Sequence, residues 1–273
     1  MLCGSTIRRC SRRGILKVRI EESPALPPSN PARSHPLPLQ NQNAVVTGAT
    51  RGIGLAIARA LAAEGCNLIL TARDQSALRR ISRELAFTKI KILAHPCDVR
   101  DPQSIDGLFR ALRKQFKHLE ILINNAGIAH ANLTVDKLSS ALWRDVIDTN
   151  LTGTFLITQA ALPMMKPGGT IVNNLSIVAT RVFAGSAAYV ASKHGALGFT
   201  NTLREELRPK GIRVVGLMPG ATDTDIWNSF WPQAPRKKMM IPATIASAVV
   251  NAILLPPNAT VETLEILPTV GLL

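Results

Sequence analysis

From residue 43 to the C-terminus, short apolar runs alternate with longer stretches in which apolar side chains recur at helical spacing. The runs at 44–47, 66–71, 91–95, 121–124, 170–175, 212–218 and 264–267 have the length and composition of strands. The stretches 53–64, 76–85, 101–116, 143–165, 189–208 and 244–255 carry the helical period. Seven strands joined by helical crossovers predict an α/β fold with a parallel, doubly wound sheet in a single domain over residues 43–273. Sheets of this kind take ligands in the crevice beyond the carboxyl ends of their strands, which directs attention to those loops.

Residues 1–42 lack this rhythm. They hold seven Lys/Arg against two Glu, with six prolines from Pro24 to Pro38, so no packed core is expected there but a disordered, basic, proline-rich extension. Its Arg- and Ser-rich, acid-poor start also suits an organelle transit peptide, although it lacks the apolar stretch of a secretory signal. The formal charge of +14 falls to +9 without this extension, spread over groups such as Arg79-Arg80 and Arg236-Lys237-Lys238. Such groups read as solvated faces, so no nucleic-acid partner is expected, though a basic field favours anionic ligands. No apolar run reaches the ~18 residues of a membrane span, and Cys3, Cys10, Cys66 and Cys97 have no metal-ligand spacing. The expectation is a soluble, cytoplasmic protein without a metal, a disulfide framework or a membrane partner.

The first loop beyond a predicted strand reads Thr47-Gly48-Ala49-Thr50-Arg51-Gly52-Ile53-Gly54 and runs directly into a helix. Glycines there allow a tight turn and close backbone approach to a pyrophosphate, which lies at a helix N-terminus where unpaired N–H groups favour negative charge. The bland alternative is a structural turn; the strand–turn–helix setting favours nucleotide binding. An acid at the end of the second strand would select NAD by bonding the adenosine ribose. Ala72 takes that position and Arg73 follows, while Arg51 sits inside the glycine loop. Two guanidiniums suit a 2′-phosphate, so NADP(H) is expected in preference to NAD(H).

Tyr189, the chain's only tyrosine, and Lys193 are four residues apart on a predicted helix and share a face. An ammonium near a phenol favours the phenolate and is expected to lower its pKa, making Tyr189 a usable proton donor and acceptor. Taken alone, a Tyr-x-x-x-Lys is usually surface decoration; here Ser176 precedes it by thirteen residues across a strand-to-helix loop.

Together with the loop at 47–54, Asp98 after the third strand, Asn124-Asn125-Ala126-Gly127 after the fourth, Asn150, and Pro219-Gly220-x-Thr222, this set resembles the short-chain dehydrogenase/reductase family. The resemblance is close from residue 43 to about 225 and looser beyond. It implies a Rossmann fold and an NAD(P)-dependent oxidoreductase acting on a small-molecule carbonyl or alcohol. It further implies that Ser176 bonds the substrate oxygen, that Lys193 also holds the nicotinamide ribose, and that Asn150 positions a water relaying protons to Lys193. By the same resemblance Asp98 and Val99 would meet the adenine, Asn125, Ala126 and Gly127 would line the adenosine side, and Pro219, Gly220 and Thr222 would flank the carboxamide. On its own residues, Asn150 reads as a buried core polar group.

Two departures stand out. Leu175 replaces a serine found in many relatives, which leaves the register of Ser176 intact; and the C-terminal segment lacks the glycine-rich finish of acyl-carrier-protein reductases. Trp227, Phe230, Trp231, Met239 and Met240 lie in a loop-like stretch that is either a substrate lid or a helix packed on the core. Three functions stay open: a reductase of small or medium apolar carbonyls, a 3-oxoacyl-thioester reductase, and a non-catalytic dinucleotide-binding regulator. The apolar segment 155–162 and the helix at 189–203 are expected to pair copies into a homodimer or homotetramer.

Overall fold

A computed structural model describes residues 37–272. Seven parallel strands form one sheet in the order β3-β2-β1-β4-β5-β6-β7. They are β1 (Asn43–Thr47), β2 (Asn67–Ala72), β3 (Ile92–Pro96), β4 (Leu119–Asn124), β5 (Met165–Asn174), β6 (Arg213–Pro219) and β7 (Thr263–Ile266). The chain winds outward from β1 through β2 to β3, then returns to place β4 against the other side of β1. That reversal leaves a crevice at the carboxyl ends of β1 and β4, where doubly wound sheets bind ligands.

The helices α1 (Gly52–Ala63), α2 (Gln75–Leu85) and α8 (Pro242–Ile253) cover one face of the sheet. Ile57 and Leu61 of α1 are fully buried in a cluster shared with Ile245 and Val249 of α8 and with Val46 and Ile123 of the sheet. Each such side chain contributes roughly 1.5–3 kcal/mol by leaving water. The helices α3 (Pro102–Gln115), α5 (Gly153–Ala161) and α6 (Ala187–Leu207) cover the other face, where Leu108, Phe109, Ile157 and Leu203 meet Val45, Leu122 and Ile171. Strands enclosed on both faces explain why the sequence shows continuous apolar runs rather than alternation.

The structure departs from the sequence expectation in four places. The predicted helix over 143–165 begins earlier, at α4 (Ser140–Ile147), because the Ser139 hydroxyl accepts the Leu142 N–H and caps it. The helix then widens into a π turn over Asp148–Thr152 before continuing as α5. It ends at Ala161, since Pro163 cannot extend a helix, and β5 starts at Met165, which pairs with Leu119. Finally, the packed chain begins before residue 43: Leu39 is buried, its N–H bonds the Glu64 carbonyl, and the Gln42 carbonyl accepts the Asn67 N–H. The remainder of the expected extension, residues 1–36, lies outside the described residues.

Among the described residues no helix is long and apolar enough to cross a membrane, and no His/Cys/Asp/Glu group could hold a metal ion.

Candidate active site

At the carboxyl end of β1 the chain turns back sharply, with Gly48 and Gly52 at φ of 63° and 55°. Side chains are disfavoured in that region, so both positions call for glycine. Gly54 has a different reason. A Cβ there would run into the Asn125 amide and the Gly48 carbonyl. Thr47 fastens this loop to the next one: its hydroxyl accepts the N–H groups of Asn125 and Ala126, both at 2.9 Å, while the Asn125 amide donates to the Thr47 carbonyl at 3.0 Å. Asn174 at the end of β5 donates to Asn125 Oδ1 at 2.9 Å, so the ends of β1, β4 and β5 are held as one unit.

A cavity of about 930 Å³ runs across these strand ends. Gly48, Thr50, Arg51, Gly52, Ile53, Arg73, Asp98, Val99, Asn125, Ala126, Gly127, Ser176, Tyr189, Lys193, Pro219, Gly220 and Thr222 all line it. Two expected site residues, Gly54 and Asn150, do not. Gly54 is buried in the first turn of α1, where it makes room for Asn125. Asn150, buried in the π turn, accepts the Ile128 N–H at 2.8 Å and donates to the Ile128 carbonyl at 2.9 Å and to Ser192 Oγ at 3.0 Å. Ser192 in turn donates to the Tyr189 carbonyl at 2.7 Å, so the Asn150 side chain ties the β4 loop to the first turn of α6. The core-polar reading of this side chain therefore describes its contacts.

Tyr189 and Lys193 project from α6 into the cavity, with the ammonium 5.7 Å from the phenol ring centroid. Lys193 Nζ donates to the Asn174 carbonyl at 2.7 Å rather than to the phenol. Its nearly complete burial pushes its pKa down to about 8. Burial also pushes the Tyr189 phenol above its ordinary value, opposed by the neighbouring Ser176 hydroxyl. The expected net lowering by Lys193 is thus corrected: desolvation of the phenolate outweighs everything else around Tyr189 in this state. Ser176 itself has φ of 106° and ψ of 156°, a region nearly reserved for glycine, and such backbone costs about 1–3 kcal/mol. Strain of this kind concentrates where side-chain placement matters; here the Ser176 hydroxyl accepts the Val178 N–H at 3.4 Å, and Ser176 lines the cavity together with Tyr189.

At the other end, Arg73 and Arg80 line the cavity beside Ala72. Arg80, expected on a solvated face, was missed because only the fold brings α2 over the end of β2. Asp74, which follows Arg73 in the chain, caps α2 by accepting the N–H groups of Ser76 and Ala77. Arg100 was also missed: its guanidinium clasps Asp98 at 2.7 and 3.0 Å and reaches Asp145 at 3.0 Å, holding the Asp98 carboxyl below the usual range. Arg51 faces Asp225 at 3.6 Å across the cavity, and Thr224 packs on Gly52. Both ionic partners are well exposed, so this pair contributes about 0–1 kcal/mol.

The stretch read as lid or core helix is partly both. A short helix, α7 (Ile226–Phe230), stands at the cavity mouth with Trp227, Phe230 and Trp231, while Met239 is buried and Met240 packs against the core. The Trp227 indole donates to the Thr222 carbonyl at 2.8 Å, and Arg236 binds Asp223, the Thr224 carbonyl and Asn228 at 2.7, 2.7 and 2.8 Å.

Glycine loop, switch-point crevice and a Ser, Tyr and Lys converging at the end of β5 together define a nucleotide-dependent oxidoreductase. Residues 42–235 match the family model described as short chain dehydrogenase. The chain is 37% identical over 241 residues to the 3-oxoacyl-[acyl-carrier-protein] reductase FabG of Vibrio cholerae, covering 84% of this chain and 96% of that protein. Among solved structures it is similar to an alcohol dehydrogenase from the archaeon Thermococcus sibiricus complexed with 5-hydroxy-NADP. The TM-score is 0.77 and the identity 31%, over 84% of this chain and 97% of that one. It is also similar to a 3-ketoacyl-(acyl-carrier-protein) reductase from Brucella melitensis complexed with NADH. There the TM-score is again 0.77, with 26% identity over 85% of this chain and 98% of that one. The protein belongs to the short-chain dehydrogenase/reductase family, and is an oxidoreductase of the kind that acts on CH–OH groups and carbonyls.

Proposed function

We propose that the protein moves a hydride between NADP(H) and a carbonyl or secondary alcohol, with Tyr189 as the acid/base. The observation that carries this reading is the convergence of Ser176, Tyr189 and Lys193 in the same cavity as the glycine loop. The residues present fit a dinucleotide: positive-φ glycines at a helix N-terminus for a pyrophosphate, and a cavity that continues from there to Tyr189. When bound, the nicotinamide supplies or accepts the hydride.

In the reducing direction Tyr189 Oη gives its proton to the substrate oxygen, so that C=O becomes CH–OH. Burial keeps the phenol protonated at rest, which suits a donor. The phenolate left behind is stabilised by the Lys193 ammonium and by the Ser176 hydroxyl, which also orients the substrate oxygen. With its pKa at about 8, Lys193 is mostly charged at neutral pH. Asn150 acts as a positioning residue, holding the β4 loop and the first turn of α6. Asp98, braced by Arg100, faces the adenine end together with Val99, while Pro219, Gly220 and Thr222 close the nicotinamide end.

The preference for NADP(H) rests on Arg51, Arg73 and Arg80 with Ala72 where an acid would stand, and on Asp74 being committed to capping α2. Assembly into a dimer or tetramer is proposed through α5 and α6, where Phe155, 42% exposed, stacks edge-on with Phe199 at 6.1 Å. A second reading, 3-oxoacyl-thioester reductase, draws on the Vibrio cholerae relative. A non-catalytic regulator has no use for strain at Ser176.

Tyr189→Phe is the decisive experiment. Cofactor affinity should stay nearly intact while kcat falls by at least about 10²-fold, the lower end of what a positioned proton donor provides. Retention of more than about a tenth of the wild-type rate, with chemistry rate-limiting, would remove Tyr189 from this role.

A further inference from the structure

The cavity has two ends of opposite character. Its charged lining side chains gather where β1, β2 and β3 end: Arg51, Arg73, Asp74, Arg80, Asp98 and Arg100, with Asp225 paired to Arg51. The other end is walled by the β4 loop, the β5–α6 loop and α7. The charged side chains lining it are Lys193, whose ammonium is bonded to the Asn174 carbonyl, and Asp225 just before α7, which faces Arg51. Aromatic residues are only 4% of the chain, yet Phe183, Tyr189, Trp227, Phe230 and Trp231 all line this one cavity. The rings form a continuous path. Tyr189 lies 6.3 Å from Phe230, Phe230 lies 5.6 Å from Trp227, and Trp227 lies 6.3 Å from Trp231. The path ends in water, with Trp231 42% exposed, and Phe183 lines the mouth from the β5–α6 loop at 36% exposed.

Resting on the activity proposed above, we infer that the substrate is an uncharged ketone, aldehyde or corresponding alcohol with a long apolar body. That body lies along Phe230 and Trp227 and reaches Trp231 at the mouth. Apolar contact accounts for a row of aromatic side chains that otherwise leaves indole and phenyl surface in water. A polar arm, such as the pantetheine of a thioester, would lie against the rings of Phe230, Trp227 and Trp231 for most of its length, with Asn132, Ser186 and Ser229 as scattered polar neighbours. The carbonyl end would sit at Tyr189 and Ser176, as the activity requires.

The test is NADPH oxidation by the full chain with 2-alkanones from 2-butanone to 2-dodecanone, with 5-oxohexanoate, and with acetoacetyl-coenzyme A. For the alkanones kcat/KM should rise by roughly twofold to fourfold per added methylene, then level off once the alkyl chain passes Trp231. 5-Oxohexanoate, which carries a carboxylate into the apolar end, should be at least about tenfold poorer than 2-hexanone. In Trp231→Ala the rise with length should flatten in its last steps, with the long ketones losing more than the short ones. A flat length dependence in wild type, or acetoacetyl-coenzyme A outpacing every alkanone, would overturn the inference while leaving the oxidoreductase reading in place. Absence of turnover with all of these and with the matching alcohols plus NADP would overturn that reading, and the inference with it.

Discussion

Replacing Lys193 by methionine should leave the protein at least as stable at pH 7 while removing its activity. The side chain is almost wholly buried, and burial lowers its pKa from 10.5 to about 8. A shift of that size corresponds to roughly 3 kcal/mol by which the folded state disfavours the ammonium. Methionine has a similar length and no charge, so it abolishes this penalty. It also loses the 2.7 Å hydrogen bond from the charged ammonium to the Asn174 carbonyl, which costs about 1.5–3 kcal/mol. The expected net gain at pH 7 is therefore about 0–1.5 kcal/mol, read by urea denaturation. The sign with pH is fixed by proton counting. Below about 8 the lysine is charged both folded and unfolded, so the wild type carries the full penalty. Between about 8 and 10.5 the unfolded chain holds a proton that the folded one has released, and wild-type stability relative to the variant rises with pH. The stability of Lys193→Met relative to wild type should be greatest at pH 7 and should fall by most of roughly 3 kcal/mol on approaching pH 10. A variant clearly less stable than wild type at pH 7, or a difference between the two that is independent of pH over that window, would refute the assignment of Lys193 as a desolvated cation.

Ser176→Gly should be more stable than Ser176→Ala by roughly 1–2 kcal/mol, because only glycine accepts the backbone angles at this position without strain; both should be impaired in turnover. Chemical denaturation of the pair checks it, and equal stabilities would mean that the backbone relaxes. Arg73→Ala should weaken NADPH binding by roughly 1.5–3 kcal/mol and leave NADH nearly unaffected; equal wild-type affinities for the two, measured by calorimetry, would sink the proposed preference. Phe155→Glu should shift the mass seen by light scattering to that of a single chain, since each copy loses roughly 1.5–3 kcal/mol of apolar burial. A wild type already monomeric at micromolar concentration would rule out the proposed interface.

Much of this molecule was legible before folding was considered, because the features concerned are local. A strand enclosed on both faces must be apolar throughout, and a helix lying on a sheet must repeat its apolar side chains at helical spacing, so all seven strands and their crossovers showed in the pattern. The glycine loop was visible for the same reason: its conformations at Gly48 and Gly52 exclude side chains, and the need is written in the residue itself. Tyr189 and Lys193 were found as a pair because four residues on one helix make one face.

What the tertiary structure decided depends on residues far apart in the chain. Periodicity does not reveal the π turn, whose extra width buries Asn150 and turns its amide toward Ile128 and Ser192. Arg80 and Arg100 looked like ordinary surface cations until the fold carried one over the end of β2 and closed the other on Asp98. The protonation of the site is likewise a property of the packed state. From spacing alone an ammonium lowers a phenol's pKa, yet in the folded cavity both groups lose water, the Lys193 ammonium turns to the Asn174 carbonyl, and desolvation raises the phenol instead. A linear sequence specifies which groups are neighbours along one element; how much water each retains is set only when every element around them is in place.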